Sequence, residues 1–119
     1  NLGGMKIVPA EVEALLLSLP GVREAAAYGV EARPGEMRLL VALVCSEGFD
    51  RPAALALCRA RLGQKAPYAL LRVPRLPRNP AGKVMRRVLA ARTRFSPTGT
   101  AAAATMPADM TEPDEPDQP

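Results

Sequence analysis

Met37-Arg38-Leu39-Leu40-Val41-Ala42-Leu43-Val44-Cys45 is apolar throughout except for Arg38. A short, almost continuous apolar run reads as a β-strand covered on both faces, where one half-exposed strand would alternate apolar with polar residues. Such a strand needs packing elements above and below its sheet, and its neighbours supply them. Upstream, Val22, Glu24, Ala26, Tyr28 and Val30 alternate with small residues, which suits a strand with Ala25 and Ala27 packed under a helix. Glu31-Ala32-Arg33-Pro34-Gly35-Glu36 between them is a turn, so the two strands are expected to pair antiparallel.

Further upstream, Pro9 opens a helix whose Val12, Leu15, Leu16 and Leu19 form a core-facing stripe. Glu11 and Glu13 place negative charge near its N-terminus, and Pro20-Gly21 stops it. Asn1 to Val8 reads as a glycine-marked turn and a short strand, the second arm of a hairpin. Downstream, Asp50 can cap a second helix with Pro52 in its first turn. Its buried stripe would be Leu55, Cys58 and Leu62, with Arg51, Arg59 and Arg61 toward solvent and Gly63 at its end. Residues 68–73 read as a third strand, and residues 84–93 as a last helix that turns Met85, Val88 and Leu89 inward. Arg86, Arg87 and Arg94 would be exposed or partnered. The expected fold is α+β: about three antiparallel or mixed strands packed with helices, plus the N-terminal hairpin strand. Residues 1–95 make one domain. Residues 96–119 are Ala, Thr, Pro and acid without apolar periodicity, and are expected to be disordered.

The 119 residues suffice for one domain with a real core. Beginning at Asn1 without Met, the chain is expected to be a piece of a longer protein. No apolar run approaches membrane-spanning length. Cys45 and Cys58 fall inside apolar stretches, as reduced core thiols do, which points to a cytoplasmic setting. The complete absence of histidine excludes Ser-His and Cys-His dyads and imidazole metal sites, and two cysteines alone cannot hold a structural zinc. Chemistry in this chain would be electrostatic, carried by Lys, Arg or backbone amides. The net charge of +4 conceals an asymmetry: residues 1–95 hold sixteen bases against seven acids, a net of +9, while residues 96–119 hold five acids and no base. Residues 72–94 contain eight bases and no acid, a surface that expects an anionic partner.

Within that basic stretch lies Pro77-Arg78-Asn79-Pro80-Ala81-Gly82-Lys83, with Val84-Met85-Arg86-Arg87 directly behind it. Two prolines fix φ and deny the loop regular pairing, and Gly82 removes the side chain beside Lys83. The arrangement delivers one compact positive charge with three donors to a carboxylate or phosphate held by another surface. A plain surface loop entering a basic helix would carry the same residues.

Gly3-Gly4-Met5-Lys6-Ile7, then Pro9-Ala10-Glu11-Val12-Glu13, then a hairpin turn with Gly35-Glu36, then PRNPAGK followed by Val84-Met85-Arg86-Arg87, occur here in one order and spacing. On that joint match residues 1–95 resemble the C-terminal domain of the adenylate-forming (ANL) superfamily, most closely the AMP-forming acyl-CoA synthetases. The resemblance implies a ligase in which a carboxylic acid attacks the α-phosphate of ATP, and a thiol of coenzyme A then displaces AMP. It makes Lys83 the catalytic residue, with Pro77, Asn79 and Gly82 supporting its loop. It places Gly3, Gly4, Met5, Lys6 and, more weakly, Arg33 at the coenzyme A channel. It further implies a rotation of the domain between the two steps, an N-terminal ATP-binding domain as partner, Mg2+ held by that other domain with no metal on this chain, and a role such as fatty acid metabolism. The Lys usual after the Tyr equivalent to Tyr68 is missing, leaving Lys65 or Arg72 as the bases near that point. Pro77 to Lys83 also fits the Pro-x-x-x-x-Gly-Lys spacing at which relatives are switched off by a lysine acetyltransferase and restored by a deacetylase.

Two other readings compete. One keeps the fold and exchanges coenzyme A for the phosphopantetheine of a carrier protein, as in adenylation domains or acyl-AMP ligases. The other is a basic nucleic-acid-binding domain using residues 72–94 against phosphates. With two Tyr, two Phe, no Trp and no base-reading motif, stacking has little to work with, and no nucleic-acid partner is expected.

Overall fold

In the computed structural model, residues 9–95 and 104–105 are described. The expected N-terminal strand and Gly3, Gly4, Met5 and Lys6 lie outside them. Strand β2 (Glu36–Cys45) occupies the middle of a three-stranded sheet, between β1 (Val22–Arg33) and β3 (Ala69–Arg72). Every residue from Leu39 to Cys45 is buried, as a strand covered on both faces requires. β1 and β2 pair antiparallel through the Arg33-Pro34-Gly35-Glu36 turn, in which Gly35 adopts a φ of 80°. That is the positive φ a type II turn demands at the position after its proline. β3 runs parallel to β2, so the sheet is mixed. A parallel neighbour needs a crossover, and helix α2 (Arg51–Leu62) provides it.

Helices α1 (Pro9–Leu17) and α2 cover one face of the sheet, burying Val12, Leu16, Ala54 and Cys58 against Ala27, Val41, Leu43, Cys45 and Leu70. Ala25 and Ala27 lie under them, as their size predicts. On the other face Ala26, Tyr28, Leu40, Ala42 and Leu71 meet Val73, Leu76 and Leu89, the last from helix α3 (Arg86–Arg92). A bulge between Val22 and Glu24 shifts the register, which puts Val22 on the first face and leaves Glu24 in line with Ala26 and Tyr28. Tyr28 reaches Thr93 beyond α3, with 2.8 Å between hydroxyls. Thr93 gives its own proton to the Leu89 carbonyl, so Tyr28 is the donor. Burial pushes the Tyr28 phenol up to about 12.

Several elements differ from the sequence reading in their details. α1 ends at Leu17, before Leu19, and Leu17 is exposed. Asp50 does cap α2, its carboxylate accepting from Ala53 N at 3.0 Å, but the buried residues are Ala54 and Cys58, with Leu55 and Leu62 only half-buried. β3 is shorter than residues 68–73, with Tyr68 N donating to Leu39 O and Val73 N to Leu43 O at its two ends. α3 begins at Arg86 instead of Val84, since Val84 is engaged in a bridge to Arg78. Within the stretch expected to be disordered, Ala104–Thr105 (β5) pair antiparallel with Arg94–Phe95 (β4). Both cysteines are buried thiols outside any disulfide. Among the described residues no helix is long and apolar enough to cross a membrane.

Candidate functional site

The lysine loop is a short hairpin held by side chains. Arg78 and Val84 form an antiparallel bridge, and Met85 N donates to Pro77 O at 2.8 Å. At the tip, Asn79-Pro80-Ala81-Gly82 closes as a β-turn, with Gly82 N donating to Asn79 O at 2.8 Å. Pro80 supplies the fixed φ at the second position, and Gly82 takes a φ of 91°. A Cβ at Gly82 would meet nothing within 4 Å, so the requirement there is conformational, not steric.

Lys83 follows with its backbone fully engaged. Its N–H donates to Asn79 Oδ1 at 2.9 Å, and its carbonyl accepts from Asn79 N at 2.9 Å. The carbonyl just before it, Gly82 O, accepts from Arg78 NH1 at 2.8 Å. Its side chain is exposed, and among the described residues its ammonium meets no acceptor. The result is a rigid base under a free four-carbon stem carrying a point charge.

That base is moored to the sheet. Arg78 NH2 donates to Glu24 Oε1 of β1 at 2.8 Å. Three residues beyond Lys83, Arg86 donates through Nε to Ala27 O at 2.9 Å and through NH2 to Glu13 Oε2 at 2.7 Å. The same Glu13 oxygen accepts from Ala27 N at 2.8 Å. Among the described residues β1 is an edge strand, and the outward N–H and C=O of Ala27 are taken up by one side chain from each flanking helix. The sequence reading singled out Pro77, Asn79, Gly82 and Lys83 but gave no role to Arg78 or Glu24 and no partner to Arg86. One signal was there: Glu24 is an acid in register with Ala26 and Tyr28 on an otherwise apolar strand face, which calls for a cationic partner.

Arg33 lies at the far end of β1. Its side chain is largely exposed and approaches Glu36 at 4.0 Å, while Glu36 also holds Arg38, whose guanidinium sits 5.4 Å from the centre of the Tyr68 ring. Nine residue steps along the strand separate Arg33 from Glu24, about 30 Å at the usual rise of ~3.3 Å. The structure therefore does not bring Arg33 and Lys83 together. Among the described residues no three His, Cys, Asp or Glu side chains converge on one point.

A small mixed sheet, covered on both faces and presenting a lysine on a moored turn, defines the class: the chain belongs to the family of AMP-binding enzyme C-terminal domains, whose profile matches residues 11–83. Over 90 residues it is 44% identical to the 2-succinylbenzoate–CoA ligase of Geobacillus kaustophilus, a match covering 73% of this chain and 18% of that protein. Over 98 residues it is 31% identical to the long-chain-fatty-acid–CoA ligase FadD13 of Mycobacterium tuberculosis, covering 81% of this chain and 19% of that one. Its fold is similar to that of the o-succinylbenzoate CoA synthetase of Bacillus subtilis, solved with the acyl-adenylate OSB-AMP. There the TM-score is 0.67 at 36% identity, covering 74% of this chain and 18% of the other. The chain thus spans about a fifth of the length of the curated relatives it matches.

Proposed function

We propose that this chain is the mobile C-terminal domain of an AMP-forming acid:CoA ligase and that Lys83 is its catalytic group. The observation that carries the reading is the contrast at Lys83, whose backbone is fixed on both sides while its ammonium is exposed and, among the described residues, meets no acceptor. When a carboxylate oxygen attacks the α-phosphate, a new P–O bond forms and the bond to pyrophosphate breaks. Negative charge then grows on the phosphoryl and bridging oxygens, and a positioned ammonium stabilises that charge more than it stabilises the reactants. It also holds two mutually repelling anions together. ATP, the carboxylic acid and Mg2+ would be bound by the N-terminal domain of the longer enzyme. No step in this reading is routed through a metal on this chain.

The thioester step would use the opposite end of the domain. Arg33 beside the hairpin turn, with Gly3, Gly4, Met5 and Lys6, is assigned to the coenzyme A side. The long separation of Arg33 from Lys83 supports a domain that turns one end and then the other toward the substrates. Acetylation of Lys83 would remove the charge on which the first step depends, so the same residue is the proposed point of control. In the full-length ligase, Lys83→Ala should abolish acyl-adenylate formation while thioester formation from supplied acyl-adenylate continues. Intact adenylation, or equal loss of both half-reactions, would overturn the assignment.

A further inference from the structure

Among the described residues Arg78 alone hydrogen-bonds both to the lysine turn and to the sheet at its base, through Gly82 O at 2.8 Å and Glu24 Oε1 at 2.8 Å. Its fork is committed to these two acceptors, one on the peptide directly before Lys83 and one on β1, so it is not aimed at a ligand. We propose that Arg78 is a positioning residue for adenylation, acting with Glu24 to fix the Gly82–Lys83 peptide relative to the sheet so that the lysine turn moves as one body with the domain. The inference rests on the catalytic reading of Lys83 given above.

Three features carry it. The turn's own bonds, from Asn79 to Gly82 and Lys83, fix its shape but not its tilt on the stem. The tilt is limited by the single Arg78–Val84 bridge, by Met85 N on Pro77 O, and by Arg78's link to Glu24. Arg78 and Glu24 side chains are both more than 40% exposed, so their ion pair contributes little to global stability, and its removal should leave the domain folded. A guanidinium is also required in kind, because a lysine ammonium has no planar fork with which to serve a carbonyl and a carboxylate at once.

The test uses the full-length enzyme with Mg2+ and the acid it turns over fastest among acetate, octanoate, benzoate and 2-succinylbenzoate. Adenylation is followed by ATP–pyrophosphate exchange, the thioester step from supplied acyl-adenylate, and mooring of the turn by hydrogen exchange at the Lys83 amide. Arg78→Gln should lower adenylation kcat by roughly ten- to a hundredfold, as a misplacement of about 1 Å does, with the KM for ATP and the thioester step little changed. Arg78→Lys should fall between. Glu24→Gln should slow adenylation as well, and the double variant should be no worse than Arg78→Gln alone, since the two residues act through one contact. Exchange at the Lys83 amide should quicken in all four.

The Glu24 arm separates positioning from charge. Were Arg78 acting only through its positive field on ATP, removing an acid beside it would leave adenylation unchanged or faster, and that result would overturn the proposal. Unchanged adenylation in Arg78→Gln, or parallel loss of both half-reactions, would overturn it too. A Lys83→Ala control distinguishes the two readings. If Lys83→Ala loses adenylation while the Arg78 variants do not, only the positioning role fails. If Lys83→Ala keeps adenylation, the catalytic reading fails, and the exchange measurement still decides whether Arg78 moors the turn.

Discussion

At the scale of single residues, conformation and environment set what each group can do. Gly82 holds a φ of 91° over open space, so Gly82→Ala should cost on the order of 1–2 kcal/mol from backbone strain alone. The loss would fall on the lysine turn: adenylation by the full-length enzyme should drop while a thermal melt of the domain shifts by only a few degrees. Tyr28 is the second case. Its phenol ionises near 12 in the fold against an ordinary value of 10, so the folded state holds its proton where the unfolded chain has released it. The stability this represents is complete below about pH 10 and is lost as pH rises through 12. A tyrosinate absorbance titration of the folded protein should show Tyr28 ionising late, and Tyr28→Phe should flatten the alkaline fall in stability.

At the scale of elements, the side of β1 that faces no strand among the described residues carries side-chain contacts at Ala27. Glu13 from α1 and Arg86 from α3 share Ala27, so two helices on opposite faces of the sheet are joined around its edge. Glu13→Ala would leave Ala27 N and the Arg86 guanidinium without this acceptor, and a loss of about 1–3 kcal/mol in chemical denaturation is expected. Asp50→Ala, which removes the cap of α2, should cost about 1 kcal/mol in the same measurement. Much of the element pattern could be read from the chain: the run 37–45, the small residues at 25 and 27, the cap at Asp50 and the lysine turn are all local signals. The mooring was not legible, because Arg78 meets Glu24 across 54 residues and Arg86 meets Glu13 across 73. No periodicity encodes such pairs. The start of α3 was misplaced for a related reason, since an apolar residue suited to a first helical turn, Val84, was instead needed to close the hairpin stem.

At the scale of the whole molecule, β1 is a bar to which the proposed function assigns a different chemical task at each end. Arg78 and Lys83 are tied to its beginning, and Arg33 marks its end at the hairpin turn. If the domain serves two steps by turning, charge changes at the two ends should separate kinetically. Arg33→Glu in the full-length enzyme should raise the KM for coenzyme A several-fold and leave ATP–pyrophosphate exchange unaltered. Loss of exchange in that variant would argue against two independent ends.

Asn79 holds Lys83 through its carboxamide, and the residue after it is Pro80. An asparagine ages when the next residue's backbone nitrogen attacks its side chain and ammonia leaves, which requires an N–H that proline does not have. The acceptor that fixes the lysine is therefore closed to this route, and a long-lived protein carrying this loop should not acquire a stray carboxylate beside the Lys83 ammonium in this way.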